Sequence, residues 1–314
     1  MATIVTVTLN PAVDKSVSVK QVVAEKKLRC SAPRYDPGGG GLNVARALKQ
    51  LGGDALAYWT CGAPMGELLR QRLDSEGVRH TPVQIEQMTR ENLVVYEESS
   101  SDQFRFGMPG AELTEAEADE FARRVAEIDP PPDYLVLSGS LPPGVGDDYY
   151  ARLIRDASGS TRAILDTSGP PLGEGVAAGV YLIKPNAAEL SELAGHEVRD
   201  DAEIERCARR LISEGRAEVV VVSLGAGGVV LVTAEACEQI RAPTVKIRSK
   251  VGAGDSTVAG IVLGLSQGKS VAEAVRLGVA AGSAAVMTDG TELCRGDDTW
   301  RLYQQMSGDH NAGS

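Results

Sequence analysis

The feature that most constrains this chain is the regular alternation of short apolar runs with helical patterns. Runs at 4–9, 55–60, 134–138, 163–166, 181–184 and 218–223 are compact and apolar throughout, as strands are when both faces of their sheet are covered. Between them, 42–51, 66–76, 115–128, 148–157 and 204–214 read as helices. Strand, helix and strand repeated in this way predict βαβ units and a mainly parallel sheet. The last third changes character. There, 254–266 and 271–287 read as two successive Ala- and Gly-rich helices, whose small residues would let them pack closely over something such as a flat ligand.

Two stretches break the pattern. Residues 13–34 alternate at Val17 and Val19 without a helix signal, and 92–95 with 103–106 read as a hairpin around 99–102. Alternation suits a half-exposed antiparallel sheet, so these stretches predict a small accessory sheet, with a decorated edge of the main sheet as the alternative. Its apolar positions, Val17, Val19 and Leu93 to Val95, call for a cover, and a second copy of the chain would supply one. The expected organisation is one α/β domain over 1–306, with accessory segments at about 13–34 and 89–107 and a polar, frayed tail at 307–314.

Charge and cysteine usage narrow the class. With 43 acidic and 32 basic side chains, the net charge of −11 argues against a broad nucleic-acid surface. The longest mostly apolar run, 257–265, is too short to span a bilayer, and the opening residues read as a first strand, not a secretory leader. The 5 cysteines are scattered and form no CxxC pair, which fits a reducing compartment and neither a disulfide framework nor a zinc site. The expectation is a cytoplasmic enzyme with no nucleic-acid or membrane partner.

The strongest local motif is Val251-Gly252-Ala253-Gly254-Asp255-Ser256, directly before an apolar helix. Free N–H groups at such a start form an anion site. Asp255 is open to two readings there, a plain N-cap or a general base beside the place where phosphoryl charge is received. Pro37-Gly38-Gly39-Gly40-Gly41-Leu42-Asn43 also leads into a helix; it is a floppy loop, or it brings backbone N–H groups and Asn43 to a polar substrate. Ser223-Leu224-Gly225-Ala226-Gly227-Gly228 lies between two β runs, where a hairpin turn is the plain reading, and it lacks the pattern of a dinucleotide fingerprint. Residues 264–270 miss the Walker spacing and follow a helix, so they form no P-loop. Asn186 and Glu189 stand three apart where a strand enters a helix, either as a capped start or as a pocket in which one carboxylate serves a hydrated Mg²⁺. Asp14, Lys27, Arg90 and Arg105 fall in the accessory segments as solvated charge or as a phosphate-binding cluster.

Taken in order, these landmarks resemble the PfkB (ribokinase-like) carbohydrate kinases across essentially the full length. The motifs are Thr8-Leu9-Asn10-Pro11-Ala12-Val13-Asp14, the 37–43 glycine run, Asn186-x-x-Glu189 and Gly252-Ala253-Gly254-Asp255. Segments 28–33, 105–111, 138–145 and 279–285 look like those of its bacterial 6-phosphofructokinase branch. The resemblance implies a three-layer α/β/α sandwich with a β-sheet lid that also builds a homodimer. It implies ATP-dependent phosphoryl transfer to a ketohexose phosphate, first fructose 6-phosphate to fructose 1,6-bisphosphate in glycolysis, with fructose 1-phosphate and tagatose 6-phosphate as alternative acceptors.

Residue by residue, the resemblance makes Asp255 the catalytic base and Gly252, Ala253 and Gly254 the anion hole. Asp14, Gly39, Asn43 and Ser138 would hold sugar hydroxyls, and Arg90, Arg105 and Lys27 the sugar phosphate. Lys184, Asn186, Ser223, Gly225, Gly227, Gly228 and Ser283 would line the ATP site, with Glu189 orienting Mg²⁺ through water. A monovalent-cation site, with K⁺ the candidate, would map to Ser249, Val251, Ala285, Thr288 and Gly290. From a different class, a sugar-phosphate or nucleotide sensor without turnover would have no need of Asp255. A dehydrogenase would need the missing dinucleotide fingerprint.

Overall fold

In the computed structural model, which describes residues 2–308, the apolar runs become strands and the periodic stretches helices. In chain order the first elements are β1 (Ile4–Thr8), β2 (Ala12–Val19), β3 (Arg34–Gly38), α1 (Gly40–Gln50), β4 (Leu56–Cys61), α2 (Met65–Ser75), β5 (Arg79–Gln84), β6 (Arg90–Glu97) and β7 (Gln103–Phe106). Then come α3 (Glu115–Ala126), β8 (Tyr134–Ser138), α4 (Tyr149–Asp156), β9 (Arg162–Asp166), α5 (Pro170–Ala177), β10 (Val180–Ile183), α6 (Ala187–Ala194) and α7 (Asp201–Ser213). The rest are β11 (Ala217–Ser223), β12 (Val229–Val232), β13 (Cys237–Ile240), α8 (Ala253–Ser266), α9 (Val271–Ala285) and α10 (Gly296–Gly308).

The main sheet has nine strands in the order β13-β12-β11-β10-β9-β8-β1-β4-β5. It is parallel from β5 to β11, and β12 and β13 return antiparallel. Successive strand residues point to opposite helix layers. Val219 and Val221 pack with α1, α8 and α9, whereas Val220 and Val222 pack with the layer holding Phe121, Leu153 and Leu211. The architecture is the expected three-layer α/β/α sandwich.

Strand order reverses at β1. The chain moves outward through β4 and β5, then returns to the other flank of β1 as β8 and continues through β9 and β10. Connections leaving in opposite directions open a crevice above the C-terminal ends of β1 and β8, where open α/β sheets bind ligands.

The accessory segments form a separate four-stranded sheet, β3-β2-β6-β7. The hairpin between β6 and β7 pairs Leu93 with Phe106 and Val95 with Phe104. β3 escaped the sequence reading because Arg34-Tyr35-Asp36-Pro37-Gly38 carries no apolar alternation, yet it pairs antiparallel with β2. Residues 307 and 308 close α10, and the remainder of the expected tail, 309–314, lies outside the described residues.

The small residues of α8 and α9 allow the close packing expected of them. They seat the two helices on each other: a Cβ at Gly260 would stand 2.7 Å from Gly278 Cα, and one at Gly282 would stand 2.2 Å from Thr257 Oγ1. Close backbone approach is what Gly260 and Gly282 require.

Candidate active site

The glycine run is not a floppy loop. A Cβ on Gly40 would lie 2.3 Å from Ser138 Oγ, and one on Gly41 would lie 2.3 Å from the Val7 carbonyl oxygen. The missing side chains therefore let the N-terminus of α1 descend onto the ends of β1 and β8. Gly39, at φ 118°, turns the chain into the helix through a region that favours glycine. The Thr8 hydroxyl accepts a hydrogen bond from Leu42 N at 2.8 Å and fixes the entry.

Asn43, in the first turns of α1, then faces α8. Its Nδ2 donates to Asp255 Oδ2 at 2.9 Å. Asp255 is not the cap of α8: Gly252 holds the N-cap position, and no side chain closes that helix start. Burial, then the nearby Asp166 carboxylate, push the Asp255 carboxyl up to about 6, against the opposing pull of Asn43, Lys184 and Arg46. A carboxyl with that affinity, beside a helix N-terminus, is suited to taking a proton near neutral pH.

Lys184 follows β10 and is buried, with Nζ 3.0 Å from Asp166 Oδ1 at the end of β9. Burial alone would lower its ammonium, but Asp166, Asp255 and Glu189 together hold it above the ordinary lysine value. A Cβ at Gly254 would lie 3.6 Å from Nζ, so this cation stands directly beside the glycine start of α8. Gly252, at φ 73°, and Ala253 complete that start. Asp166 was absent from the sequence-derived residues; its only signal was its place at a strand's C-terminal end.

The small sheet contributes a second group. Asp14 lies opposite Asp36 on β3 and Asn92 on β6, so the three share one face with Arg90 and with Arg105, which pairs with Val94. Asn92 Nδ2 donates to Asp14 Oδ1 at 2.8 Å. Burial raises the Asp14 carboxyl above its ordinary value, and Asp36 adds to this, while Asn92, Arg90 and Arg105 offset part of the rise. A cavity of about 300 Å³ opens on this face, lined among others by Asp14, Asn92, Arg105 and Thr291. Arg90 donates to the carbonyls of Met108 and Asn10, each at 3.0 Å. Among the described residues its buried Nε has no partner, and neither has the buried Oδ1 of Asn10. Asn10 and Asn92 are residues that the sequence reading gave no role.

Lys27 does not join this cluster. It is exposed in the loop closed by the Val19–Cys30 bridge, beyond the far end of β2 from Asp14. Proximity in sequence to accessory segments suggested a shared site; the direction of β2 carries Lys27 away from it.

On the other side of the crevice, Asn186 and Glu189 form a reciprocal capping box. Glu189 N donates to Asn186 Oδ1 at 2.9 Å and Asn186 N to Glu189 Oε2 at 2.8 Å. Asn186 also bridges to Ser223 at the end of β11. The 223–228 motif is indeed a hairpin turn into antiparallel β12, with a short 3₁₀ turn at Gly225–Gly227. Gly228 passes so close to the Ile240 carbonyl oxygen that a Cβ would stand 2.1 Å from it. Ser283 is buried on α9.

The expected cation residues fall into two hydrogen-bonded groups. Ser249 Oγ donates to the Gly290 carbonyl at 2.7 Å and accepts from Val251 N at 3.2 Å. Thr288 Oγ1 donates to the carbonyls of Ala285 at 2.7 Å and Glu292 at 2.9 Å. Among the described residues, no group of three His, Cys, Asp or Glu is placed to hold a metal ion, and no helix is long and apolar enough to cross a membrane.

The sequence profile of the pfkB family carbohydrate kinases matches residues 4–297. The chain is 44% identical to the ATP-dependent 6-phosphofructokinase isozyme 2 of Escherichia coli (strain K12), over 98% of this chain and 100% of that one. A crystal structure of phosphofructokinase-2 from Escherichia coli in complex with potassium superposes with a TM-score of 0.94, at 44% identity and covering 98% of this chain and 100% of that one. Ribokinase from Thermotoga maritima, at 19% identity, covers 97% of this chain and 100% of its own with a TM-score of 0.78, a likeness of fold alone.

Proposed function

The chain belongs to the pfkB family of carbohydrate kinases, and on that footing we propose that it transfers the γ-phosphoryl group of ATP to the C1 hydroxyl of fructose 6-phosphate. One observation carries the reading. The glycine run joins two functional groups: Gly38 lies against the Asp14 carboxylate, and Asn43 at the other end holds Asp255. A sugar seated against Asp14 and Asn43 therefore presents a hydroxyl to the base. The orphaned Arg90 Nε and the exposed Arg105 supply the donors that a sugar phosphate would satisfy.

In this reading Asp255 removes the proton of the attacking hydroxyl, oxygen bonds to the γ-phosphorus, and ADP departs. Charge gathering on the phosphoryl oxygens falls on the N–H groups of Gly252 to Gly254 and on the Lys184 ammonium beside them, donors that stand in place before the reaction. Gly39 and Ser138 would line the sugar. Asn186, Ser223, Gly225, Gly227, Gly228 and Ser283 would line the nucleotide. The small sheet would act as the lid that keeps water from the phosphoryl group.

Mg²⁺ would accompany ATP. Glu189 fits that role in its chemistry: it is a half-exposed hard oxygen donor whose Oε2 alone serves the capping box. Bound there with ATP, the ion would neutralise phosphate charge. The carbonyls of Ala285 and Gly290 are hard oxygen donors of the kind a monovalent cation takes, and the potassium complex of the Escherichia coli relative supports K⁺.

The test is a panel of kcat/KM values with MgATP for fructose 6-phosphate, fructose 1-phosphate, tagatose 6-phosphate and ribose. Fructose 6-phosphate should lead. Preference for ribose would dismiss the phosphate role of Arg90 and Arg105, and binding without ADP release would leave a sensor instead of a kinase.

A further inference from the structure

We infer that Arg46 is a positioning residue of this site, which sets the end of the Asn43 amide that faces Asp255 and the acceptor sugar. The inference rests on reading Asp255 as the base. Arg46 lies one helical turn beyond Asn43 on α1, and its side chain is only 6% exposed. Such burial of a guanidinium needs a complete set of acceptors. Glu76, just past α2, provides two: Nε donates to Oε2 at 2.7 Å and Nη2 to Oε1 at 2.9 Å. The remaining terminal nitrogen turns to the site, donating to the Pro37 carbonyl at 2.9 Å and to Asn43 Oδ1 at 3.2 Å.

A guanidinium can only donate, so the amide atom facing it must be the oxygen. That choice leaves Nδ2 toward Asp255 Oδ2, at 2.9 Å, with a second N–H free for a sugar hydroxyl. A flipped amide would set oxygen against carboxylate and NH₂ against guanidinium, two repulsive contacts in place of two hydrogen bonds. The same Arg46 nitrogen holds the carbonyl that opens the glycine run. One fork, anchored from behind by Glu76, thus orders both the loop that meets Asp14 and the amide that meets the base. The groups facing Asp255 are Asn43 and Arg46 from α1, Asp166 from the end of β9 and Lys184 from just past β10. Losing Arg46 removes one cation and releases the amide, and both changes favour the protonated carboxyl.

The competing role is a brace between α1 and α2, which would affect stability alone. A double-mutant cycle separates them. Arg46→Met is placed in a Glu76→Gln background, so that no carboxylate is left unpaired, and compared with Glu76→Gln alone. Fold is checked by thermal midpoint. The expected result is a kcat lower by roughly ten- to hundred-fold, the scale of a misplaced reacting group. The fructose 6-phosphate KM should rise and the acid limb of the kcat profile should move to higher pH. The ATP KM should hold within about two-fold, and in an Asn43→Ala background the same change should cost no more than about two-fold further. Arg46→Lys, which keeps a charge and a donor, is the variant safest for folding; it should recover part of the kcat with the acid limb still displaced. A normal kcat and acid limb with a lowered thermal midpoint would make Arg46 a brace and overturn the inference. Equal losses with and without Asn43 would overturn it too. Asp255→Asn runs alongside, and turnover surviving that change would strike the base assignment itself.

Discussion

Lys184 and Asp166 close a 3.0 Å ion pair across the ends of two neighbouring strands. The pair sets the electrostatics of the crevice, because both members act on the same third group. Asp166 pushes protons onto Asp255 and Lys184 pulls them off, so the Asp255 carboxyl sits in a balance tipped by burial. A desolvated carboxyl of that kind is what a phosphoryl-transfer base at neutral pH requires.

Asp255→Asn should remove nearly all turnover while ligands still bind. General-base assistance is worth about 10²–10⁴ in rate, and the amide keeps the shape and the bond to Asn43. Steady-state kinetics with binding titrations check it; a kcat near the native value would return Asp255 to a structural role.

The pH profile should report the same group. With its carboxyl near 6, Asp255 can serve as the proposed base only above that value, so kcat should fall as pH drops below about 6, and Asp255→Asn should lack this limb at its residual rate. Stability should move in the opposite sense. The folded chain keeps the Asp255 proton up to about 6, whereas the unfolded chain releases it near 3.8, so between those values the native state binds more protons and loses stability as pH rises. Asp255→Asn should therefore gain in thermal midpoint over the native chain from about pH 4 to pH 7. An unchanged gap across that range would show that burial does not strain this carboxylate.

How much of this was legible in the sequence differs by residue. The main sheet was, because continuous apolar runs such as Val219 to Val222 leave little choice. β5, with Arg79, His80 and Pro82, was not, since an edge strand can carry polar residues and a proline. Asp255 and Asn43 were singled out by the glycines around them. Asp166, Arg46 and Asn10 were not, because each matters through a partner distant in sequence: Lys184, Glu76 and Arg90. The glycines themselves carried two messages. Gly40 and Gly41 permit close packing against Ser138 and Val7, a role that only the structure reveals.

Arg90→Ala and Arg105→Ala should each raise the KM for the phosphorylated sugar far more than that for ATP. A charge-assisted contact is worth roughly 1.5–3 kcal/mol, on the order of ten- to hundred-fold in affinity. The two should differ in kind. Arg90 also ties together Asn10 and Met108, so its loss should lower the thermal midpoint, whereas Arg105 is exposed and its loss should leave folding unchanged. Sugar-phosphate KM values unmoved in both would place these residues among solvated surface charges.

The chain should form a homodimer through the small sheet. Val94, one of the positions expected to need a cover, is already buried on the face that carries Asp14 and Arg105, so it cannot be the contact. The opposite face is the better candidate. Val17, Val95 and Phe104 stand in one cross-strand row, with Leu93 and Phe106 beside them; Phe104 and Phe106 are exposed and the others half-buried. An exposed apolar row of this kind marks an interaction surface, and a two-fold partner would bury it against its own copy. The loop carrying Lys27 extends beyond the Val19–Cys30 bridge, away from its own cavity, and a partner is where that cation could meet a sugar phosphate. Phe104→Asp should therefore give monomers, because each partner would have to bury a carboxylate at the centre of the contact. Sugar-phosphate affinity should fall with dimerisation, and Lys27→Ala should weaken it while leaving the dimer intact. Sedimentation of the native chain as a fully active monomer at assay concentration would overturn the proposal.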